Sequence, residues 1–261
     1  PSSMQLRREG GLTLVELMIA LALGLLLVGS VGAIYLGSNQ SYRTAEAGAR
    51  IQETGRYALD LLGRSLRQAG YANVPSNPAA AMPTFSGTPI KSVSTTCPSA
   101  FTVQYDGFAG EKDCQADTIT AGEVVQHTFF IRDGSLRCDA IRNTTAPTPP
   151  TSCPGDIGDV LLDNVEDMQI LYGIDSASDQ SADRYVATPT DWTKVVTARV
   201  CVLVRSDAQG VAPSGHTYFN CAGALGTAPD DASRFSTAAD TRLHRAFVAT
   251  FTLRNRVSVI P

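Results

Sequence analysis

Gly11-Leu12-Thr13-Leu14-Val15-Glu16-Leu17 opens an apolar run that extends to Leu36, and Glu16 is the only charge inside it. As a helix, these 25 residues span roughly 37 Å, enough to cross a bilayer with some tilt. A charge at the centre of such a helix costs about 2.5–3.5 kcal/mol on insertion scales, and less near the interface. Glu16 therefore asks for a compensating role. Arg7 and Arg8 precede the run. Their charge keeps the short N-terminus cytoplasmic and sends the bulk of the chain across the membrane. The run is longer than the roughly 7–15-residue core of a secretory signal peptide. Neither a signal peptide nor a plain anchor makes use of Gly11 or Glu16.

The segment also carries Gly24, Gly29, Gly32 and Gly37. Each costs about 1 kcal/mol of helix propensity relative to alanine. In a membrane, small residues let neighbouring helices approach closely, and Ala20/Gly24 and Ala33/Gly37 have the small-x-x-x-small spacing. The helix is expected to continue past the membrane, because Ser38 to Ala69 contains no proline. Ile51, Gly55, Ala58, Leu62, Leu66 and Ala69 fall on one face, and charged residues occupy the other, with i,i+4 pairs such as Asp60/Arg64. Gly70 supplies the stop. The organisation read from these patterns is 1–11 before the run, 12–36 transmembrane, 37–70 an amphipathic continuation, and 71–261 a globular domain.

Beyond Asn73 the period changes. Pro75, Pro78, Pro83 and Pro89 punctuate a connector, and alternating runs follow. These are Phe101/Val103/Tyr105, Val125/His127/Phe129/Ile131, Met168/Ile170/Tyr172, Val196 to Val204, and Phe247/Ala249/Phe251/Leu253. Asp133-Gly134 marks a hairpin leading into Leu136 and Cys138. One long helix followed by antiparallel strands is an α+β fold. Asn73–Pro89, Ile141–Asp156 and Asp207–Thr241 read as long loops, candidates for contacts with partners.

The six cysteines, Cys97, Cys114, Cys138, Cys153, Cys201 and Cys221, all lie beyond the apolar run, and none forms a C-x-x-C pair. In an exported domain an even number reads as disulfides. Six allow fifteen connectivities; loop lengths favour Cys201–Cys221 and Cys114–Cys138, leaving Cys97–Cys153. The net charge of −4 argues against a nucleic-acid-binding surface. Arg242, Arg245, Arg254 and Arg256 make the C-terminus basic, but no aromatic-basic stacking pattern accompanies them.

Nucleophile-elbow, H-E-x-x-H and P-loop patterns are absent, and the three histidines, His127, His216 and His244, are far apart in sequence. No catalytic constellation emerges, and no cofactor is expected. Asp175, Asp179 and Asp183 are spaced as calcium ligands could be, but Ser176, Ala177 and Ser178 dilute the oxygen density. A solvated acidic loop is the expected alternative.

Gly11 to Leu17 resembles the processing signature of type IV prepilins and type II secretion pseudopilins. The resemblance implies cleavage between Gly11 and Leu12 by a membrane prepilin peptidase, which makes 1–11 a leader, and N-methylation of Leu12. It also implies that Glu16 pairs with the new N-terminal amine of its own or a neighbouring subunit. Gln52-Glu53-Thr54-Gly55-Arg56-Tyr57-Ala58-Leu59-Asp60 runs towards Leu66-Arg67-Gln68-Ala69-Gly70-Tyr71 and, with Val165 to Asp175 and Leu253-Arg254-Asn255-Arg256, is similar to the PilW family of minor pilins. That family implies a non-enzymatic minor pilin with a pilin-like fold. Its implied work is priming of filament assembly, at the tip, with other minor pilins, the major pilin and a candidate tip adhesin. The implied setting is the inner membrane with a periplasmic domain, then the assembled pilus. The readings that compete with it are a minor pseudopilin of a type II secretion system and a membrane-tethered ligand-binding module.

Overall fold

The computed structural model describes residues 13–73, 85–94, 97–152, 154, 158–230 and 232–256. Of the connector prolines, Pro75, Pro78 and Pro83 lie outside them. A single helix, α1 (Leu14–Gln68), carries both the apolar run and its amphipathic continuation. The chain divides into two compact units, 1–46 and 47–261, so the helix belongs to both.

In the second unit, α1 buries the expected stripe. Ala47, Ile51, Gly55, Ala58, Leu62, Gly63, Ser65 and Leu66 are buried, five of them residues that the 3.6-residue period places on one face. Ile51, Ala58, Leu62 and Leu66 join one core with Phe101, Phe129, Met168, Tyr172, Val200 and Val202. Burying each large apolar side chain contributes about 1.5–3 kcal/mol. Asp60 and Arg64 pair on the opposite face at 2.5 Å.

Two antiparallel sheets complete that core. The first has five strands in sequence order: β1 (Ile90–Ser94), β2 (Cys97–Asp106), β3 (Val124–Arg132), β4 (Ser135–Asn143) and β5 (Asp159–Asp163). The β3–β4 turn pairs Arg132 with Ser135 across Asp133-Gly134. Both turn residues have positive φ, 53° and 71°, the conformation of a type I′ hairpin turn. The second sheet is built from β6 (Val165–Ile174), β7 (Arg184–Val186), β8 (Val195–Arg205) and β11 (His244–Thr252), in the order β11-β8-β6-β7.

Between β8 and β11 the chain makes an excursion. It holds β9 (Thr217–Phe219), α2 (Cys221–Leu225) and β10 (Phe235–Thr237), with β9 and β10 paired. The 207–241 stretch, expected to be a loop, is thus a small folded layer. Leu171, Cys201, Leu203, Cys221 and Leu225 form its own core against the sheet. Its elements are three to five residues long, too short to show a period. The expected loop from Ile141 also starts later, because β4 runs to Asn143.

Two contacts fix α1 against the rest of its unit. A Cβ placed on Gly55 would lie 2.3 Å from the Phe247 ring, and one on Gly63 would lie 2.4 Å from the Phe251 ring. Both glycines are therefore required by close approach of β11. At the helix end, Gly70 adopts φ +72°, the left-handed conformation of a helix stop. The Asn255 Nδ2 group donates to the carbonyls of Arg67, Gln68 and Ala69. Carbonyls left unpaired at a helix C-terminus are satisfied here by a residue from the far end of the chain.

Candidate functional site

The first unit is a helix start followed by an uncovered apolar surface. Thr13 caps α1: its Oγ1 accepts from the Glu16 N–H at 3.2 Å, and its carbonyl accepts from the Leu17 N–H at 3.1 Å. Thr13-Leu14-Val15-Glu16 has the Thr-x-x-Glu spacing of a capping box. Glu16 thus sits in the first turn, where a carboxylate is favoured by the helix dipole. This cap was missed in the sequence, although Thr-x-x-Glu ahead of an apolar run is its ordinary signal. Gly11 and Leu12, the residues assigned to cleavage and methylation, lie outside the described residues.

From Leu14 to Leu36 every large apolar side chain is at least 53% exposed. A window of this helix has mean hydropathy 2.5, long and apolar enough to cross a membrane. A Cβ added at Gly24, Gly29, Gly32 or Gly37 would meet nothing within 4 Å. These glycines answer no packing demand among the described residues.

Among the described residues of the second unit, two cysteine pairs are bonded. Cys114–Cys138 ties the segment between β2 and β3 to β4, and Cys201–Cys221 ties β8 to α2. Such crosslinks contribute on the order of 2–4 kcal/mol each. Cys153 and the Cys97 side chain lie outside the described residues. Beside the first disulfide, Asp113 is buried and paired with Arg142, which also reaches Asp117 at 2.9 Å.

His127 neighbours the same disulfide, and its Nε2 accepts from the Cys114 N–H at 3.3 Å. Burial lowers its pKa to about 4, against a smaller opposing pull from Asp113. Cys114, His127 and Cys138 have a metal-ligand grouping, but both sulfurs are committed to the disulfide. The histidine is a packed residue of β3.

The acidic loop turns its carboxylates onto its own backbone. Asp175 accepts from the N–H groups of Ser178, Asp179 and Gln180, and Asp183 from those of Ser176 and Ala177. Oxygens used this way shape a turn. The C-terminal arginines are dispersed. Arg242 pairs with Asp240 at 3.7 Å, Arg245 lies over the Phe247 ring, and Arg254 is exposed. The Arg256 side chain lies outside the described residues.

A further polar group sits where β6, β8 and β11 meet. Glu166 accepts from Arg205 Nη1 at 3.0 Å and from His244 Nε2 at 3.1 Å. The hydrogen bond from His244, with Arg205 adding to it, holds Glu166 below the usual carboxylate range despite burial.

The family model for type IV pilus-assembly protein W, PilW, matches residues 128–255, and that for the prokaryotic N-terminal methylation motif matches residues 6–32. The two matches together support a PilW-type type IV pilin. The PilW match spans β4 to β11 and ends at Asn255, the residue that caps α1. The methylation-motif match covers Thr13, Glu16 and the uncovered apolar surface as far as Gly32. A type IV-like pilin from Thermus thermophilus is similar at 18% identity and a TM-score of 0.46, over 79% of this chain and 97% of that one. No curated protein sequence matches.

A PilW-type pilin belongs with filament components, and the apolar helix of this chain carries the marks of a membrane anchor preceding a C-terminal domain.

Proposed function

We propose that this chain is a minor pilin that helps to prime type IV pilus assembly, within a tip complex of minor pilins on which the major pilin is added. The observation that carries this reading is the methylation-motif match over residues 6–32, set at the head of a helix whose apolar surface and glycines have no occupant within the chain. Prepilin peptidase removes residues 1–11 after Gly11 and methylates Leu12. The Leu12 amine then lies about one helical turn from Glu16. In a poorly solvated setting, either charge alone is costly, and pairing relieves both. An amine from a neighbouring subunit serves as well as the chain's own, so Glu16 sets the axial register of an incoming pilin.

Residues 12–36 hold the protein in the inner membrane before extraction, and 37–70 carry the helix into the periplasmic domain, 71–261. Two disulfides suit an oxidising compartment. The test is mass spectrometry of the mature N-terminus together with a chromosomal deletion. The expected result is an N-methylated Leu12 and loss of surface pili with type II secretion intact. An intact leader, cleavage near Ala33, or loss of secretion with pili retained overturns the reading.

A further inference from the structure

We propose that His216 and His244 form a binding site for a divalent transition-metal ion of the zinc class, tying the 207–241 excursion to β11. Both imidazoles have one nitrogen engaged and one left over. His244 Nε2 faces the Glu166 carboxylate at 3.1 Å. A carboxylate accepts, so Nε2 carries the hydrogen and the neutral ring presents a lone pair at Nδ1. His216 Nδ1 faces the Pro213 carbonyl oxygen at 2.9 Å, which likewise places the hydrogen on Nδ1 and the lone pair on Nε2. Those two atoms, His244 Nδ1 and His216 Nε2, are both buried and have no hydrogen-bond partner among the described residues. The His244 side chain is only 3% exposed. Leaving a buried nitrogen without a partner is costly, and two in one place call for an occupant.

The rings are suitably placed. Their centroids are 5.6 Å apart with planes 34° from parallel. Imidazoles bound to one zinc ion at a roughly tetrahedral angle, with Zn–N near 2.0–2.1 Å, hold their centroids roughly 5–6 Å apart. Tyr218 stacks on His244 at 4.4 Å and lies 6.1 Å from His216. With Tyr218 over one face, these distances set His216 beside the edge of His244, not over its opposite face, which would carry His216 much further from Tyr218. Ring lone pairs point outward in the plane, towards such an edge. Ligating histidines typically donate their other N–H to a carboxylate or a backbone carbonyl, which fixes the tautomer and orients the ring. Glu166 and the Pro213 carbonyl occupy those supporting positions. Imidazole nitrogen suits zinc, copper and nickel rather than calcium or magnesium, and water completes the coordination.

His216 immediately precedes β9, and His244 is the first residue of β11. The ion would therefore bridge the same two layers that Cys201–Cys221 joins five residues further along the excursion. The test uses the full chain in detergent micelles, stripped with chelator and titrated with ZnCl2 by calorimetry, alongside thermal unfolding. One equivalent of zinc should bind and raise Tm, whereas Mg2+ should do neither. His216→Ala removes one ligand from a half-buried turn. His244→Gln removes the other while keeping a donor for Glu166. Each should weaken zinc binding at least tenfold and abolish the Tm rise, with the metal-free Tm and near-ultraviolet circular dichroism of His216→Ala close to wild type. Cu2+ loaded into the wild type should show nitrogen hyperfine coupling from two imidazoles. Absence of zinc binding up to millimolar concentration, or His216→Ala binding as tightly as wild type, overturns the site.

Discussion

The two halves of α1 use glycine in opposite ways. Gly55 and Gly63 sit under the Phe247 and Phe251 rings with no room for a methyl group, whereas Gly24, Gly29, Gly32 and Gly37 touch nothing. The apolar residues follow the same division. Beyond Ala47 they form a buried stripe, and from Leu14 to Leu36 they stand exposed on every side. A helix apolar all round belongs in lipid or among other helices. One half is therefore finished by its own chain, and the other has no cover among the described residues.

This contrast can be broken by experiment. The largest effect is expected at Glu16: Glu16→Ala should leave leader removal intact and reduce incorporation into sheared pili at least tenfold, read by immunoblot. Normal incorporation would end the amine-pairing argument. In the finished half, Leu62→Ala should cost about 2–5 kcal/mol of stability by opening a cavity in the core. Leu26→Ala should leave the thermal unfolding of the same micellar protein unchanged. Equal effects would mean that the exposed half is not independent of the core.

His127 probes the packing beneath the finished half, where it lines a cavity of about 220 Å3 with Tyr57, Leu61 and Tyr105. Its folded pKa of about 4 lies below the unfolded value of about 6.5, so between these pH values the unfolded chain binds the extra proton. Stability is complete above about pH 6.5 and falls by about 3 kcal/mol as the pH drops towards 4. Urea melts at pH 7 and pH 4.5 should show that loss in wild type and less of it in His127→Gln. The smallest effect is the sharpest comparison. Gly55→Ala should cost about 1–3 kcal/mol through overpacking against Phe247. Gly29→Ala should cost nothing in the isolated chain and register only in assembly.

Much of this was legible in the sequence, and the residues show why. The α1 stripe and strands β3, β6 and β8 repeat a period often enough to be read, and Asp133-Gly134 is a turn dictated by local chemistry. β1, β5, β7, β9 and β10 are three to five residues long, too brief for alternation to register. Asn255 could be quoted as part of a familiar ending, but its role depends on a partner 188 residues away, which no local pattern encodes. Glu166 and His244 are brought together only by the β6–β8–β11 order. Thr13 is a different case, since its capping spacing was present and was overshadowed by the charge beside it.

The pairs Gly55/Phe247 and Gly63/Phe251 have a consequence for how the pilin tolerates change. Eight helical residues advance about 12 Å, and four strand residues advance about 13 Å. The two scales coincide at both marks, like a vernier, and the two elements ascend together. A substitution elsewhere on either element leaves the marks aligned. A single inserted residue between Gly55 and Gly63 would bring one ring onto a side chain, and one between Phe247 and Phe251 would turn a ring to the opposite face of the sheet and leave its glycine uncovered. In this pair of elements, length is held more tightly than composition.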